Sequence, residues 1–437
     1  MLTILLLWFQ LLTGTAPHPV LFEEVQLFTG NAQTLTPPSY VLVVGNKIQK
    51  ISPTPFEVEA GTIRINGKGK TLMPGLIDVH VHLAFGSMSK KDMTSPDLSQ
   101  EFILQHMSKG AEEMLLRGFT SVRDVGGPIF PFKAAVDAGK ISGPRIWPSG
   151  AVISQTSGHG DFRMPHEKSR RFFGTPSLSE TFGANFIADG RDEVLTAVRE
   201  NLRFGASQIK IMGGGGTSSA YDPVDVTQYT LDEMKAAVDA AEDWGTYVTV
   251  HAYTSRAINR AIKAGVKCVE HGQLADEATL RLMAKKGIWL SLQNLIEDTP
   301  DMDSLRREKR KPVIEGQAKI WPLAKKLKVK LAWGTDFLFE PELNKQQNDY
   351  ILKLQQWFTN AEILKMVTHD NAQLLQLSGL RSPYPGKLGV IEEGAYADLL
   401  LVDGDPLKDL SLLSNPENKF LVIMKDGKLV KNKLKAK

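Results

Sequence analysis

The sequence predicts an α/β protein, a (β/α)8 TIM barrel carrying a small discontinuous β-sandwich domain formed by both chain ends. Two observations lead to this prediction. Between residues 72 and 380, short apolar runs alternate with segments of helical periodicity, as expected of parallel strands joined by helices. On either side, residues 17–71 and 381–437 share a different texture, with strand pairs around Gly, Asp and Asn turns. We therefore expect one domain closed by the two ends, with the catalytic barrel between them.

Composition excludes several classes of protein. The 437 residues are 42% hydrophobic and 23% charged, which is typical of globular chains and excludes disordered, collagen-like and coiled-coil proteins. The net charge is only +3, from 52 basic and 49 acidic residues, so no nucleic-acid partner is expected. A small molecule or short peptide is the expected partner. The single cysteine, Cys268, excludes intrachain disulfides and cysteine-based zinc modules, so a metal would need His, Asp, Glu or Lys-derived ligands.

The first sixteen residues, MLTILLLWFQLLTGTA, form an apolar run that is too short to span a bilayer and ends in small residues. We expect residues 1–16 to be a signal peptide, with export to a bacterial periplasm or secretion. No Lys or Arg precedes the apolar core, and Pro17 follows it directly. A cytoplasmic protein with an uncleaved leader is therefore the alternative. No later stretch is apolar enough to predict a membrane span.

The terminal segments predict strands in order along the chain. The first are VQLFTG, SYVLVVGNKIQKIS and TIRINGKGKT, and the last are KLGVIEEG, ADLLLVDGDP and FLVIMKDGKLVK.

The central region supplies eight strand-like runs, which is the number a closed barrel needs. They are LIDVHVHL, TSVRDVG, RIWPSG, QIKIMGG, YVTVHAY, KCVEHGQ, IWLSLQN and KLAWGTD. Helical spacing of apolar residues predicts helices over 104–116, 192–204, 231–244, 255–264, 277–285 and 314–327.

Histidines on the first of these runs point to chemistry. His80 and His82 are separated by one residue, so strand alternation places both imidazoles on the same side, the barrel interior. Asp78 has the same parity and could orient an imidazole. His-x-His alone is a weak signal, because two hydrogen-bonded core histidines would look the same.

Further candidates fall where barrel enzymes assemble their sites. His251, His271 and Asp336 end the fifth, sixth and eighth runs, at the carboxyl edge of the predicted barrel. Four of the nine histidines therefore converge on one end of the barrel.

Lys210 lies in the fourth run, between Ile209 and Ile211. If the isoleucines pack against the helices, the lysine points into the barrel. An ammonium group beside metal ions would be desolvated and repelled, which favours the neutral amine. A neutral lysine can take up CO₂ to become a carbamate, which supplies two oxygens and a negative charge.

Taken together and in order, the motifs GLIDVHVHL, QIKI, VHAY, VEHG and GTD resemble those of the amidohydrolase superfamily. Among its subgroups, the glycine run after the lysine, the SGHGD loop and VHAYT resemble the prolidase-like branch. That branch holds Xaa-Arg and Xaa-Pro dipeptidases and ochratoxin-type amidases.

The resemblance implies a ligand set and a reaction. His80, His82 and Asp336 would hold one metal, His251 and His271 a second, and carbamylated Lys210 (N6-carboxylysine) would bridge the two. Two divalent ions, usually Zn²⁺, would hold a bridging hydroxide that cleaves an amide in a dipeptide or N-acyl amino acid. Asp336 would carry the proton to the leaving amine. The branch also implies a homo-oligomer.

Three alternatives remain open at this point. A deaminase of the same superfamily is disfavoured, because His251 is followed by Ala252, Tyr253 and Thr254 rather than a proton-shuttling Glu. A cyclic-amide or lactone hydrolase would use the same metals. A catalytically inactive scaffold usually loses ligands, and all six are retained here.

Other residues have weaker roles. The glycine run 213–216 could cradle a phosphate, but no Gly-Lys-Ser/Thr sequence follows, and a loop kept small beside the metals explains it better. The resemblance makes His159, in SGHGD, a candidate catalytic and substrate-binding residue, against an ordinary loop histidine. Tyr221 and Tyr229 are further substrate-binding candidates.

Three more features are expected to be structural. Cys268 has the opposite strand parity to His271 and should face the helices. His106 and His369 lie in helical patterns. The basic run 306–311 is expected to be a solvated part of the connection after the seventh strand, with a mobile lid as the alternative.

Overall fold

A computed structural model describes residues 18–93, 95, 97–219, 221–294, 298 and 302–434. The predicted leader, residues 1–16, lies outside the described residues. The strands are β1 (Val20–Leu27), β2 (Ser39–Val44), β3 (Lys47–Ser52), β4 (Ile63–Asn66), β5 (Thr71–Pro74), β6 (Leu76–Val81), β7 (Phe119–Asp124), β8 (Arg145–Pro148), β9 (Val152–Ser154), β10 (Asn185–Ile187), β11 (Ile209–Met212), β12 (Val248–Thr254), β13 (Cys268–Leu274), β14 (Trp289–Gln293), β15 (Lys330–Gly334), β16 (Leu399–Val402), β17 (Phe420–Lys425) and β18 (Lys428–Asn432).

The α-helices are α1 (Leu83–Gly86), α2 (Lys90–Met93), α3 (Gln100–Leu116), α4 (Phe130–Asp137), α5 (Arg170–Phe173), α6 (Leu178–Thr181), α7 (Arg191–Arg203), α8 (Leu231–Asp243), α9 (Ser255–Ala264), α10 (Glu277–Lys286), α11 (Ser304–Lys326), α12 (Gln347–Leu352), α13 (Asn360–Lys365), α14 (Asn371–Leu375) and α15 (Pro416–Lys419). Short 3₁₀ turns cover Pro341–Gln346, Lys353–Gln356, Gln376–Arg381 and Leu410–Ser414, and Met366–Asp370 is a π-turn. Within the described residues, no helix is both long enough and apolar enough to cross a membrane.

Strands from both chain ends share one eight-stranded sheet, in the order β18-β17-β16-β5-β1-β2-β3, with β4 also paired to β1. The link between the ends is the antiparallel pair β5–β16, in which Met73 lies opposite Leu400. A bulge in β1 at Glu24, with φ of 54°, lets its first half pair with β4 and its last two residues with β5. This sheet extends to Pro74, three residues past the predicted boundary at 71. The domain boundaries and the sandwich remain predictions.

The central region has a TIM-barrel-type fold of parallel strands and helices. Its strands pair in two sheets, β6-β7-β8 and β10-β9-β11-β12-β13-β14-β15. A hydrogen bond of 2.8 Å from the Asp336 N–H to the His80 carbonyl connects the segment after β15 to β6. All eight predicted runs are strands. The three-residue strands β9 and β10 were not predicted, because they are too short to show a period and form through pairing with neighbours.

Most predicted helices are present with ends shifted by a few residues, but α11 differs. It begins at Ser304 instead of residue 314, because the Asp303 side chain caps the N–H of Arg306 at 2.8 Å. Pro312, a helix-breaking signal in sequence, lies inside this helix. Residues 306–311 are therefore helical. Lys311 is exposed, as expected of a solvated segment, but Arg310 is buried, so the expectation is wrong at that residue.

Cys268 also corrects a prediction. Its sulfur lies 3.4 Å from the Glu270 carboxylate and 3.8 Å from the Arg123 guanidinium, inside the barrel. The parity argument failed because His271 has a φ of 76°. This left-handed residue interrupts the regular alternation of β13, so parity counted back from His271 assigns the wrong side.

A buried ion pair fastens the terminal sheet to the barrel. Arg145, on β8, places its Nε 2.6 Å from the Asp398 Oδ2, and both side chains are almost fully buried. The Asp398 carbonyl accepts a hydrogen bond of 2.9 Å from the N–H of Gly75, between the terminal strand β5 and the first barrel strand β6. The terminal sheet and the barrel therefore contact each other through a buried ion pair and a backbone hydrogen bond.

Candidate active site

The site is a cavity of about 150 Å³ at the carboxyl ends of the barrel strands. Its polar lining includes the six predicted metal ligands, His80, His82, Lys210, His251, His271 and Asp336, together with His159. The fold thus brings these seven residues together from six different strands or following loops, as strand-end convergence predicts.

Three of these ligands form the tightest group. The Nε2 atoms of His80 and His82 each lie 3.3 Å from the same carboxylate oxygen, Oδ1 of Asp336. One donor atom from each residue can be chosen so that all three lie within 4.8 Å of one another. Asp336 reaches them from a left-handed backbone conformation, φ 53°, after β15.

Hydrogen bonds on the far sides of the rings determine which nitrogens are available. The Nδ1 of His80 lies 2.8 Å from the Glu270 carboxylate, and the Nδ1 of His82 lies 2.9 Å from the Gly126 carbonyl. The Nε2 of His251 lies 3.1 Å from the Gly215 carbonyl. Each of these partners accepts a hydrogen bond. A neutral ring that is protonated at the nitrogen facing its partner has a free lone pair on the opposite nitrogen, as a metal ligand requires.

His271 has an unpaired nitrogen. Its Nδ1 is buried, has no hydrogen-bond partner among the described residues, and lies 4.0 Å from the nearer Asp336 oxygen. That distance is too long for a hydrogen bond. The rings of His251 and His80 lie 4.3 Å and 5.1 Å away, centre to centre. A buried nitrogen without a hydrogen-bond partner, among other nitrogen donors, is suited to bind a cation.

Lys210 is fully buried on β11, while Ile209 and Ile211 lie in the main hydrophobic core. Burial lowers the pKa of its amine, and this effect prevails although the carboxylates of Glu270 and Asp336 raise it. Burial therefore shifts Lys210 towards the neutral amine, which is the form that can become a carbamate.

Burial sets the pKa of two histidines in the site. It lowers the pKa of His251 well below the usual value, and repulsion from the neighbouring His159 and His271 adds to this effect. Burial also lowers the pKa of His271 well below the usual value, despite the opposing charge of Asp336.

Charge pairing prevails at His80 and Asp336. Burial would lower the pKa of His80, but the carboxylates of Asp336 and Glu270 raise it. Burial would raise the pKa of Asp336, but the charge and hydrogen bond of His80 keep it well below the usual value. The site therefore holds His251 and His271 as neutral imidazoles near an ionised carboxylate, the protonation states that bind cations.

A second layer of buried charged residues supports the ligands, and two of them, Glu270 and Arg123, were not predicted. Glu270, one residue before His271, contacts His80 through Oε2 and the guanidinium of Arg123 through Oε1, at 2.6 Å. Both residues are fully buried. The sequence did contain a signal for both residues, because each is a charged residue within an apolar strand run: Glu270 in VEHG and Arg123 in SVRDV. Asp78, predicted to orient an imidazole, instead accepts hydrogen bonds from the backbone N–H groups of His80 and Thr335.

His159 stacks on His251, with ring centres 4.2 Å apart. Its Nδ1 lies 2.9 Å from the Ser219 hydroxyl and 3.5 Å from the Asp222 carboxylate. The glycine run explains the fit, because a Cβ at Gly216 would lie 1.9 Å from the His159 ring. Gly216 therefore admits this imidazole, whereas a Cβ at Gly215 would lie 1.7 Å from the Pro223 carbonyl oxygen. Among the residues described between the run and α8, no helix follows to cradle a phosphate.

The structure does not bring the two predicted tyrosines into the cavity. Tyr229 is buried in the hydrophobic core, and its hydroxyl donates to the Ala188 carbonyl at 3.0 Å. Tyr221 is exposed and does not line the cavity. Tyr253, in VHAY, does line it, with its ring 5.1 Å from His251 and 5.0 Å from His271.

The remaining walls are apolar on one side and basic on another. Phe85 packs against Phe162 and Phe339, with ring centres 6.1 Å and 5.8 Å away. Arg306 and Arg310, from α11, line another part of the cavity. A ligand with an apolar group and an anionic group matches these surfaces.

The donor set fits divalent cations. Imidazoles with free lone pairs, an ionised carboxylate and an amine that can become a carbamate surround one enclosed space, and the unpaired His271 nitrogen lacks a partner there. Mixed nitrogen and oxygen donors of this kind suit zinc and similar metals. The His80, His82 and Asp336 group could hold one such ion.

Comparison with known proteins shows the family to which the chain is similar. Residues 71–430 match the model of the Amidohydrolase family. The chain is 32% identical to Aspergillus niger ochratoxinase over 376 residues, covering 82% of this chain and 75% of the other. It resembles the crystal structure of a prolidase complexed with N-methylphosphonate-L-proline, with a TM-score of 0.86, 33% identity and coverage of 95% and 100%. A Xaa-Pro dipeptidase with bound methionine gives a TM-score of 0.79, 28% identity and coverage of 95% and 100%.

The buried Glu270 leads to a stability prediction. Glu270→Gln should destabilise the protein by about 3–5 kcal/mol, because Arg123 would keep its charge without a carboxylate partner. Equilibrium urea denaturation measures this change. Glu242→Gln is the matched control: its carboxylate pairs with Lys267 at 3.4 Å and is half exposed, so the loss should stay below about 1 kcal/mol. Equal losses in the two variants would contradict the role given to Glu270.

Proposed function

We propose that this chain, which belongs to the amidohydrolase family and is a hydrolase of amide bonds, releases a C-terminal amino acid from a dipeptide or an N-acyl amino acid. The observation that carries the proposal is the convergence of His80, His82 and Asp336 beside Lys210 in one cavity. Similarity to a prolidase, a Xaa-Pro dipeptidase and an ochratoxinase supports this substrate class.

The proposed cofactors are two divalent ions, Zn²⁺ by the imidazole-rich donor set. His80, His82 and Asp336 would hold one ion, and His251 and His271 the other. Lys210, as N6-carboxylysine, would bind both. When bound, such ions supply an acidified water as nucleophile and polarise the scissile carbonyl.

Asp336 is the proposed proton carrier. It is ionised, and its side chain is partly open to the cavity while the histidines around it are buried. A carboxylate in this position can accept the proton of the attacking water and deliver it to the nitrogen of the leaving amino acid. No protein nucleophile is needed for this reaction.

His159 is the proposed donor to the developing oxyanion. Lys309 donates to the Ser219 carbonyl at 2.6 Å and lies 3.4 Å from the Ser219 hydroxyl. The Ser219 hydroxyl and the Asp222 carboxylate both lie beside Nδ1 of His159, and Asp222 also accepts a hydrogen bond from Ser219. Nε2 is therefore the ring nitrogen of His159 left to donate a proton to the carbonyl oxygen of the substrate.

The apolar wall of Phe85, Phe162 and Phe339 favours a substrate with a bulky apolar acyl or amino-acid side chain. Aromatic rings provide large contact areas and edge-to-face partners for such groups. We assign this wall to substrate selection rather than to bond cleavage.

The architecture proposed for this function is a closed eight-stranded barrel with one domain built from both ends. The hydrogen bond between the Asp336 N–H and the His80 carbonyl supports closure, because it connects the last strand to the first. The β5–β16 pairing supports the shared terminal domain.

A hydrolysis screen tests the function directly. Metal-replete protein should release free amino acid from some members of a panel of dipeptides and N-acyl amino acids, detected by mass spectrometry. Nucleobases and phosphotriesters serve as negative controls. Turnover of those controls, with none of any dipeptide or N-acyl amino acid, would disprove the proposal.

Lys210→Ala tests the metal set. The variant should lose metal affinity and activity by more than about 100-fold, since removal of a supporting residue alone costs 10–100-fold. Elemental analysis and turnover measure the two losses, and short carboxylic acids should partly restore activity by replacing the carbamate. Lys235→Ala, at an exposed residue of α8, should keep its metal. Full metal content and rate in Lys210→Ala would rule out the proposed bridge.

His159→Asn tests the oxyanion donor. Its kcat should fall about 10²–10³-fold, the usual effect of removing one such donor, while metal content stays unchanged. His106→Asn is the matched control, because the Nδ1 of that residue lies 2.8 Å from the carbonyl of Phe102 in α3, away from the cavity. A loss of metal in His159→Asn, or an unchanged kcat, would assign the histidine a different role.

A further inference from the structure

The α11 helix presents cations to the cavity. Arg306 and Arg310 both line it, and their spacing of four residues places them on the same face of the helix. Neither residue belongs to the metal set. The hydrolytic reaction proposed above does not use them, so their presence in the cavity needs another explanation.

Arg310 is held in place. Its side chain is 3% exposed, and its Nε lies 2.7 Å from Oδ1 of Asp298. A bond at Nε restricts the plane of the guanidinium, so the position of the group is fixed before any ligand arrives.

The guanidinium of Arg306 differs from that of Arg310 in its hydrogen bonding at Nε. Its Nε is buried and has no hydrogen-bond partner among the described residues. Burial, followed by the charge of Arg310, lowers the pKa of its guanidinium, and this prevails over the nearby Glu340 and Asp303. A buried guanidinium donor without an acceptor is costly, so it is expected to bind an acceptor from outside the chain.

The contacts of Lys309 locate Arg306 and Arg310 relative to His159, the proposed oxyanion donor. It precedes Arg310 on the same helix, and it donates to the Ser219 carbonyl. The Ser219 hydroxyl contacts His159. The basic part of α11 is therefore connected through Ser219 to His159, the residue proposed to hold the scissile carbonyl oxygen.

We propose that Arg306, with Arg310 beside it, binds a carboxylate of the substrate. This assignment rests on the proposed function, in which the leaving group is an amino acid with a free carboxylate. A guanidinium matches a carboxylate with two parallel hydrogen bonds, and the enclosed site strengthens them. The α-carboxylate, or a carboxylate on the substrate's side chain, could supply this chemistry.

Paired substrates that differ in one charge test the assignment. N-acetyl-L-phenylalanine and its C-terminal amide differ at the α-carboxylate, and N-acetyl-L-aspartate and N-acetyl-L-asparagine differ at the side chain. Acetate release is measured for all four. If Arg306 binds the α-carboxylate, Arg306→Gln should lower kcat/KM for N-acetyl-L-phenylalanine 10–100-fold, mainly through KM, and leave its amide unchanged.

Each source of the carboxylate predicts a different pattern. An α-carboxylate predicts equal losses for the aspartate and asparagine substrates, whereas a side-chain carboxylate predicts a loss confined to the aspartate substrate. Arg306→Lys should recover part of the loss, because it restores the charge without the paired geometry. Lys311→Gln removes an exposed charge from the same helix and should resemble the wild type. Equal effects of Arg306→Gln on both members of both pairs would overturn the assignment.

A binding measurement separates this assignment from the proposed function. If the wild type cleaves none of the four compounds, their binding is measured by calorimetry on wild type and Arg306→Gln, with melting temperatures to verify folding. A carboxylate compound bound at least tenfold more tightly by the wild type, with its amide bound equally by both, supports the carboxylate site even though the proposed function fails. Equal binding by the two proteins overturns the site as well.

Discussion

The site depends on one buried chain of charges. Arg123 on β7 pairs with Glu270 on β13, and Glu270 in turn contacts His80 on β6. Thr249 on β12 also donates to the same carboxylate. A carboxylate buried in this way must be paired, and the pairing holds four strands in fixed relation beneath the cavity. The same contact orients the His80 ring so that its free nitrogen faces Asp336.

The cavity has two chemically different regions above this layer. Lone pairs and carboxylate oxygens converge near Asp336, where cations are favoured. Arg306 and Arg310 face the cavity from α11, where anions are favoured. The ring of His159 lies between these regions, through its contacts with His251 and Ser219. A substrate with an amide carbonyl and a carboxylate matches this arrangement, because each polar group meets its opposite charge.

Local sequence determined the strands and much of the cavity. Alternation along β6 and β11 was enough to place His80, His82 and Lys210 inside the barrel, because side chains of a strand alternate between its two faces. Strand ends at one edge of a parallel sheet brought His251 and Asp336 to the same cavity. The motifs in order also sufficed for the amidohydrolase family. The strand inferences hold because they depend on residues adjacent in the chain, and the others hold because all parallel strands of one sheet end at the same edge and because the motifs occur in a fixed order.

Tertiary structure decided which groups meet across the barrel. The Arg123–Glu270 pair joins residues on separate strands, and no periodicity within either strand reveals a partner opposite. Tyr229 can lie in the core because its hydroxyl donates a hydrogen bond to the Ala188 carbonyl, which belongs to a loop distant in the sequence. The prediction for Cys268 was wrong because the left-handed residue His271 interrupts β13. The prediction for the segment that contains Arg306 was wrong because the Asp303 cap extends α11. A sequence pattern reports the face on which a side chain lies, whereas the groups packed opposite that face depend on how the whole chain folds.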